Sequence, residues 1–167
     1  MNIIKIDKNN LVNGDGMRCV VWCAGCSWNC YKCQNPETHN KKAGHKFTEA
    51  DWLEIKEQLS RKEVSGVTLS GGDPFFPANR KDMLKLCKRI KSEFANKSIW
   101  CYTGFLFEDI IDTKLLKYID IIVDGQYKDE LNPKNTNLLW RGSSNQRIID
   151  VQKSLLENRT VLFYNKD

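Results

Sequence analysis

Three cysteines close together near the start of the chain have the chemistry and spacing of metal ligands. Cys26, Cys30 and Cys33 follow a C-x3-C-x2-C pattern. Three thiolates on one loop can bind one side of a cubane iron–sulfur cluster, which is usually held by four cysteines. Three ligands leave one iron with an open position, and substrate chemistry begins at such positions. The pattern therefore predicts a [4Fe-4S] cluster with an open iron.

A second trio, Cys19, Cys23 and Cys26, has the same spacing. The run 18–23 is mostly apolar and β-branched, which predicts a buried strand. On a strand, Cys19 and Cys23 would lie roughly 13 Å apart, too far to hold one small cluster. The loop of the first trio can curl because it follows a glycine and contains Asn29. We therefore assign the first trio as ligands and expect Cys19 and Cys23 to pack in the core.

Two other uses of the cysteines compete with the cluster. A zinc site needs a fourth ligand, and His39 lies six residues beyond Cys33, outside the usual finger spacing. A disulfide framework is disfavoured because the seven cysteines are an odd number and no secretory signal is evident. The cluster is favoured, and zinc stays open as the alternative.

Length and composition fit a compact intracellular protein. The 167 residues are enough for one domain with its own core, so we expect a single domain over 1–167. No apolar run approaches the length of a membrane span, so we expect no membrane partner and a cytoplasmic location, where thiols stay reduced. The net charge of +5 is spread along the chain, so no nucleic-acid partner is expected, although an acidic protein would suit it.

The elements that must position the cysteines alternate between strands and helices. Predicted strands cover 3–6, 18–23, 65–70, 98–102, 118–123, 148–151 and 160–164. Predicted helices start at Thr48 with a capping box, cover 83–94, and form a short piece at 107–116. The alternation predicts βαβ units and a mostly parallel sheet, whose sites lie at the carboxyl ends of the strands. The polar stretch 126–146 is predicted to be a functional or disordered connection.

A glycine pair follows the third predicted strand directly. Gly71 and Gly72 precede Asp73 and Pro74. Paired glycines let the backbone approach a ligand and leave its N–H and carbonyl groups free to bond it, and Pro74 holds Asp73 out of the helical conformation. A sharp turn is the alternative, but the position about 40 residues after the cysteine loop favours a binding role.

The cysteine loop resembles the signature of the radical S-adenosylmethionine (SAM) enzymes, and Gly71–Pro74 resembles the motif that holds the methionine ammonium in that family. The resemblance implies an α/β fold, an incomplete (β/α) barrel with the site at the strand carboxyl ends. It also implies that SAM binds the open iron of the cluster. One departure is that Lys32 occupies the place where many members carry an aromatic residue, with Tyr31 one residue earlier.

The resemblance implies a set of cofactor-binding residues on four loops. They are Lys32, Cys33, Gln34, Gly71, Gly72, Asp73, Pro74, Thr103 and Asp124. For Thr103 and Asp124, ordinary strand-end turns are an equal alternative. His39 and His45 are expected to be surface residues.

The segment 142–147, Gly-Ser-Ser-Asn-Gln-Arg, resembles one in the activases of anaerobic ribonucleotide reductase. The resemblance implies that SAM is cleaved to a deoxyadenosyl radical, which takes a hydrogen from a glycine on the large subunit of that reductase. It also implies a low-potential electron donor such as a flavodoxin or ferredoxin. Arg141 and Arg147 are candidates for contact with the cofactor or partner, or ordinary surface charges.

Two alternatives to this function stay open. One is an activase of another glycyl-radical enzyme, of pyruvate formate-lyase type. The other, from a different class, is a non-catalytic metal-binding module that docks nucleic acid through its basic surface.

Overall fold

The computed structural model describes residues 1–134 and 138–163. Strands and helices alternate through most of the chain, with short 3-10 helices at Pro36–Thr38, Phe107–Ile110, Lys114–Tyr118 and Asp129–Leu131. In chain order the main elements are β1 (Asn2–Asn10), β2 (Met17–Cys23), β3 (His45–Lys46), α1 (Glu49–Ser60), β4 (Val64–Gly71), α2 (Arg80–Glu93), β5 (Ser98–Tyr102), β6 (Ile121–Asp124), β7 (Arg147–Asp150) and α3 (Val151–Glu157).

The described strands form a seven-stranded sheet of order β3-β1-β2-β4-β5-β6-β7. Strands β2, β4, β5 and β6 are parallel, whereas β1, β3 and β7 pair antiparallel at the two edges. The α/β class is therefore confirmed, and the sheet is mixed, with four parallel strands at its centre and antiparallel strands at its edges. The edge at β1 is antiparallel because residues 11–16 are too short a connection for the crossover that parallel neighbours need.

One face of the sheet packs against the helices. Trp52, Ile55 and Leu59 of α1 are buried there, and Thr48 and Asp51 form the predicted capping box at the start of that helix. In the described part of the chain, no helix has the length and apolar character needed to span a bilayer.

The buried cysteines belong to this same core. Cys19 and Cys23 of β2 are fully buried in it, as predicted, together with Cys87 of α2 and Cys101 of β5. Burial raises the pKa of the Cys19 and Cys87 thiols to about 12. These thiols therefore stay protonated and pack as small apolar side chains.

The opposite face of the sheet holds a buried arginine. The Arg18 guanidinium donates to Thr68 Oγ1 at 2.7 Å and to the carbonyl oxygens of Val67 at 2.8 Å and Ser98 at 3.0 Å. It also lies 5.4 Å from the centre of the Trp100 ring. Burial lowers the pKa of Arg18 to about 10, so the side chain stays charged at neutral pH. Arg18 thus links β2, β4 and β5 on the face away from the helices.

Several predicted boundaries in the second half of the chain were wrong. The expected helix at 107–116 is two separate 3-10 helices, and the second of these extends to Tyr118, so that β6 begins only at Ile121. Asp120 precedes β6 and accepts a hydrogen bond from the backbone N–H of Ile99 at 2.6 Å. The Asp120 backbone N–H also donates to the Ile99 carbonyl at 2.9 Å, so Asp120 is joined to β5 just before β6 begins.

The elements predicted at 148–151 and 160–164 also differ from the structure. Asp150 ends β7 and caps the unpredicted helix α3, accepting from the Lys153 backbone N–H at 3.0 Å. Val151 therefore begins a helix instead of ending a strand. Of the strand predicted at 160–164, Leu162 makes an isolated bridge to Ile149, and position 164 lies outside the described residues.

Gly66 is a position where the parallel pairing of β4 and β5 requires a glycine. A Cβ at this residue would lie 1.9 Å from the backbone oxygen of Ser98. We expect Gly66→Ala to lower the free energy of unfolding by about 2–4 kcal/mol, because the two backbones must separate. Urea denaturation measures this, with Ser65→Ala at the exposed neighbouring position as the control, expected to change it by less than about 0.5 kcal/mol. Equal midpoints for the two variants would contradict the steric explanation.

Candidate functional site

A cavity of about 440 Å³ opens where the parallel strands end. The cysteine loop after β2 lines it together with the segments that follow β4, β5 and β6. Its residues include Cys26, Cys30, Cys33, Gln34, Gly71, Gly72, Asp73, Thr103, Gly104 and Gly125. The loops at the carboxyl ends of neighbouring parallel strands meet at one site, as this topology requires.

Most of the predicted site residues meet in this cavity. Cys26, Cys30, Cys33, Gln34, Gly71, Gly72, Asp73 and Thr103 all line it. Lys32, Pro74 and Asp124 are not among the lining residues. Lys32 instead forms an ion pair with Asp129 at 3.0 Å, and Pro74 is buried.

Asp124 is buried in an ion pair at the end of β6. Its carboxylate is bonded by the Arg147 guanidinium, with Nε at 3.0 Å, and accepts from the Phe107 backbone N–H at 2.8 Å. Arg147 also donates to Glu108, at 2.7 Å. The Arg147 guanidinium holds the pKa of Glu108 down at about 2. Asp124 and Arg147 therefore fasten the end of β6 to the segment after β5.

The cysteine loop curls through two left-handed residues. Asn29 has φ 46° and Lys32 has φ 51°, and the Cys33 backbone N–H donates to the Cys30 carbonyl at 3.1 Å. These turns bring all three cysteines, which are partly buried free thiols, to the cavity. The expected curl of this loop, in contrast to the extended Cys19–Cys23 run, is confirmed.

Two of the three sulfurs accept backbone hydrogen bonds. The Asn35 backbone N–H points to Cys33 Sγ at 3.4 Å, and the Trp28 backbone N–H bonds Cys26. Burial raises the pKa of Cys26 to about 11 and that of Cys33 above its ordinary value. Both thiols are therefore protonated without a metal, and metal binding must release those protons.

The donor set of this loop fits an iron–sulfur cluster. Three thiols are soft ligands that suit iron–sulfur clusters, and amide donors to the sulfurs are a feature that tunes such clusters. In residues 1–134 and 138–163, no group of three or more His, Cys, Asp or Glu side chains is arranged to hold a single metal ion.

Asp73 is the hydrogen-bonding centre of the site. Its carboxylate accepts from Trp28 Nε1 at 2.8 Å, Thr103 Oγ1 at 2.8 Å, the Gly104 N–H at 3.1 Å and the Phe75 N–H at 2.8 Å. The residue is 2% exposed, and burial raises its pKa. Both carboxylate oxygens are engaged by the protein, so the side chain joins the loops after β2, β4 and β5.

The glycine pair packs directly against the start of the cysteine loop. The Gly72 N–H donates to the Cys23 carbonyl and the Asp73 N–H to the Gly25 carbonyl, both at 2.8 Å. A Cβ at Gly72 would lie 2.5 Å from the Gly25 oxygen. The glycines therefore permit the close backbone contact that joins the second loop to the first.

Trp28 and His39 are among the cavity residues that sequence reasoning missed or misplaced. Trp28 lines the cavity, and its position between two of the cysteines in the sequence is the feature from which this could have been predicted. His39 was expected on the surface but is half-buried in the cavity wall, and its carbonyl accepts from the Cys26 N–H at 3.2 Å. His45 is exposed as expected and bonds Asp51 at 2.8 Å.

The segment 142–147 also reaches the cavity. Gly142 and Gln146 line it, and Gln146 Nε2 donates to the Gly125 carbonyl at 2.9 Å. The Gln146 side-chain oxygen accepts from the Gly142 N–H at 2.9 Å, and Arg141 donates to the Gln146 carbonyl at 3.1 Å. Side-chain amide bonds therefore hold this segment against the end of β6.

Trp28 packs directly on Gly104. A Cβ at Gly104 would lie 2.4 Å from Trp28 Nε1. We expect Gly104→Ala to displace the indole and break its bond to Asp73, lowering the free energy of unfolding by about 1–3 kcal/mol. Amide hydrogen exchange of residues 26–33 in the metal-free protein should become faster. Ser27→Ala, at an exposed position of the same loop, is the control and should leave exchange unchanged. Unaltered exchange in the glycine variant would show that the indole does not hold the loop.

Comparison with known proteins gives two consistent results. Residues 12–149 match a family described as a 4Fe-4S single cluster domain. The chain is 42% identical over 148 residues to the anaerobic ribonucleoside-triphosphate reductase-activating protein of Enterobacteria phage T4, covering 89% of this chain and 93% of that protein. Proteins of the same name from Vibrio cholerae and Escherichia coli are each 38% identical, over 89% and 87% of this chain and 97% and 96% of their own lengths.

Proposed function

The chain belongs to the family of anaerobic ribonucleoside-triphosphate reductase-activating proteins, and from this premise we propose that it is a radical SAM activase. It cleaves SAM reductively and uses the resulting deoxyadenosyl radical to take an α-hydrogen from a glycine on the large subunit of an anaerobic ribonucleotide reductase. The observation that carries this proposal is that the three cysteines and the backbone of Gly71 and Gly72 line one and the same cavity.

Cys26, Cys30 and Cys33 are the residues that would hold the [4Fe-4S] cluster. When bound, the cluster supplies the single electron that breaks the sulfonium bond of SAM, together with an open iron for the methionine amino and carboxylate groups. The protein supplies the cavity that orients the two reactants and excludes water.

The other cavity residues would position SAM. The backbone of Gly71 and Gly72 carries no side chain at the cavity wall. Because the Gly72 N–H is bonded to the Cys23 carbonyl, the carbonyl groups of the pair would accept from the methionine ammonium. Gln34, next to Cys33, would meet the adenine, and Thr103 would line the pocket. Asp73 contributes indirectly, because its carboxylate is already bonded by four donors that fix these loops.

We also propose that the sheet is the incomplete (β/α) barrel of this enzyme class. The four parallel strands and the site at their carboxyl ends support this assignment. In this reading, Lys32, Pro74 and Asp124 have structural roles around the cavity, with Lys32 and Asp124 acting through their ion pairs.

Anaerobic reconstitution with iron and sulfide tests the proposal. The expected result is a brown protein that, with dithionite, converts SAM to methionine and 5′-deoxyadenosine. Incubated with SAM and an anaerobic ribonucleotide reductase, it should produce a glycyl radical that EPR detects, and a reductase variant whose target glycine is alanine is the control.

Other outcomes identify the alternatives. SAM cleavage with radical formation only on a pyruvate formate-lyase would assign the chain to that substrate instead. A colourless zinc protein without SAM cleavage, whose DNA affinity falls steeply with salt, would favour the nucleic-acid module.

A further inference from the structure

The segment 40–46, a turn followed by β3 and here called the basic hairpin, carries three lysines. Lys41, Lys42 and Lys46 are all exposed. Among residues 1–134 and 138–163, no ion pair involves any of these lysines. Arginines on the helices differ in this respect, as Arg89 pairs with Glu49 at 2.5 Å. Lys41 and Lys42 are adjacent, so their end of the segment is a local excess of positive charge, whereas Lys46 lines a pocket with Glu49 and Asp82.

The basic hairpin is held rigidly at the edge of the sheet. Its turn is closed by the Ala43 N–H donating to the Asn40 carbonyl at 2.9 Å, and Asn2 Nδ2 donates to the Ala43 carbonyl at 3.2 Å. Gly44 packs so closely on β1 that a Cβ there would lie 1.9 Å from the Ile3 oxygen. The lysines are thus presented on a fixed backbone, which reduces the entropy lost when a partner binds.

The two residues just before the basic hairpin bond the backbone at the start of the cysteine loop. The Gly25 N–H donates to the Thr38 carbonyl at 2.8 Å and the Cys26 N–H to the His39 carbonyl at 3.2 Å. A Cβ at Gly25 would lie 3.2 Å from Lys41 Cβ. Lys41 therefore stands directly beside the cysteine loop.

The basic hairpin reaches the cysteine loop from outside the cavity. None of its three lysines lines the cavity in which SAM and the target glycine would react. A protein bound to these lysines would come close to the cysteine loop without filling the cavity. This arrangement suits a partner that delivers an electron and leaves the substrate path open.

We propose that the basic hairpin is the docking surface for an acidic electron-donor protein. The proposal rests on the proposed function, because only a redox-active cluster needs such a donor. In each encounter the donor is oxidised by one electron and the cluster is reduced by one. Opposite charge on the two surfaces steers the encounter and sets its orientation, and salt weakens it.

Binding of an acidic flavodoxin, measured by titration calorimetry, tests the surface itself. For Lys41→Glu/Lys42→Glu we expect at least about tenfold weaker binding at low salt, with the difference from the parent shrinking between about 20 mM and about 500 mM salt. Lys114→Glu/Lys117→Glu makes the same charge change at two exposed residues of the 3-10 helix before β6. This control has the same net charge as the hairpin variant and should bind like the parent. The milder Lys41→Gln/Lys42→Gln variant should show an intermediate loss of affinity.

Electron transfer provides the second measurement. With reduced flavodoxin, cluster reduction followed by absorbance should slow about tenfold in Lys41→Glu/Lys42→Glu, whereas reduction by dithionite should match the parent. Equal flavodoxin binding by the hairpin variant and the control variant would overturn the proposal. Cluster reduction that slows equally with flavodoxin and with dithionite in the hairpin variant would also overturn it. So would tighter binding of duplex DNA than of flavodoxin by the parent. Absence of SAM cleavage by the parent with dithionite would instead refute the proposed function, while the binding result still decides the docking surface.

Discussion

Cys30→Ala is expected to leave the protein unable to hold its cluster. Iron after anaerobic reconstitution should fall from about four atoms per chain to fewer than about one, because two remaining thiols cannot retain a cubane. SAM cleavage with dithionite should fall to the background rate. Cys30 is only partly buried, so the free energy of unfolding of the metal-free protein should change by less than about 0.5 kcal/mol.

Cys19→Ala is the matched control because it removes a cysteine of the competing trio. Cys19 is fully buried in the core beside α1, so the variant should lose about 1–2 kcal/mol of stability and keep its full iron content. Iron and sulfide analysis distinguishes the two variants directly. Loss of iron in Cys19→Ala, or full iron in Cys30→Ala, would show that the ligands were assigned to the wrong trio.

Asp73→Ala is expected to have the largest effect on stability. The change removes a residue that is 2% exposed and leaves the Trp28 indole N–H, the Thr103 hydroxyl and two backbone N–H groups without their acceptor. Each buried unsatisfied donor costs about 1–3 kcal/mol, with partial relaxation, so we expect a loss of about 3–5 kcal/mol. Denaturant unfolding of the metal-free protein under anaerobic conditions measures it.

Asp129→Ala provides the comparison for Asp73→Ala. It removes a carboxylate that pairs with exposed Lys32 beside the same site, and such exposed pairs contribute little to stability. A loss in Asp73→Ala no larger than in Asp129→Ala would mean that the buried carboxylate does not hold the loops together. Hydrogen exchange of residues 26–33 should also accelerate in Asp73→Ala, because Trp28 loses its anchor.

The sequence alone predicted the features that depend on local spacing. The capping box at Thr48 was predicted because its two side chains are three residues apart. The separation of buried Cys19 and Cys23 from the curled cysteine loop was predicted because β-branched runs extend and a glycine with an asparagine permits a turn. The α/β class followed from the alternation of strand and helix patterns.

Only the tertiary structure decided which side chains face the cavity. Asp73 bonds partners 30 and 45 residues away in the chain, and Asp124 turns to Arg147, 23 residues beyond it. His39 enters the cavity wall because its carbonyl bonds the Cys26 N–H, and β7 pairs antiparallel with β6 across the long connection 125–146. Propensity and periodicity act over a few residues, whereas these outcomes depend on contacts that exist only after the strands have assembled.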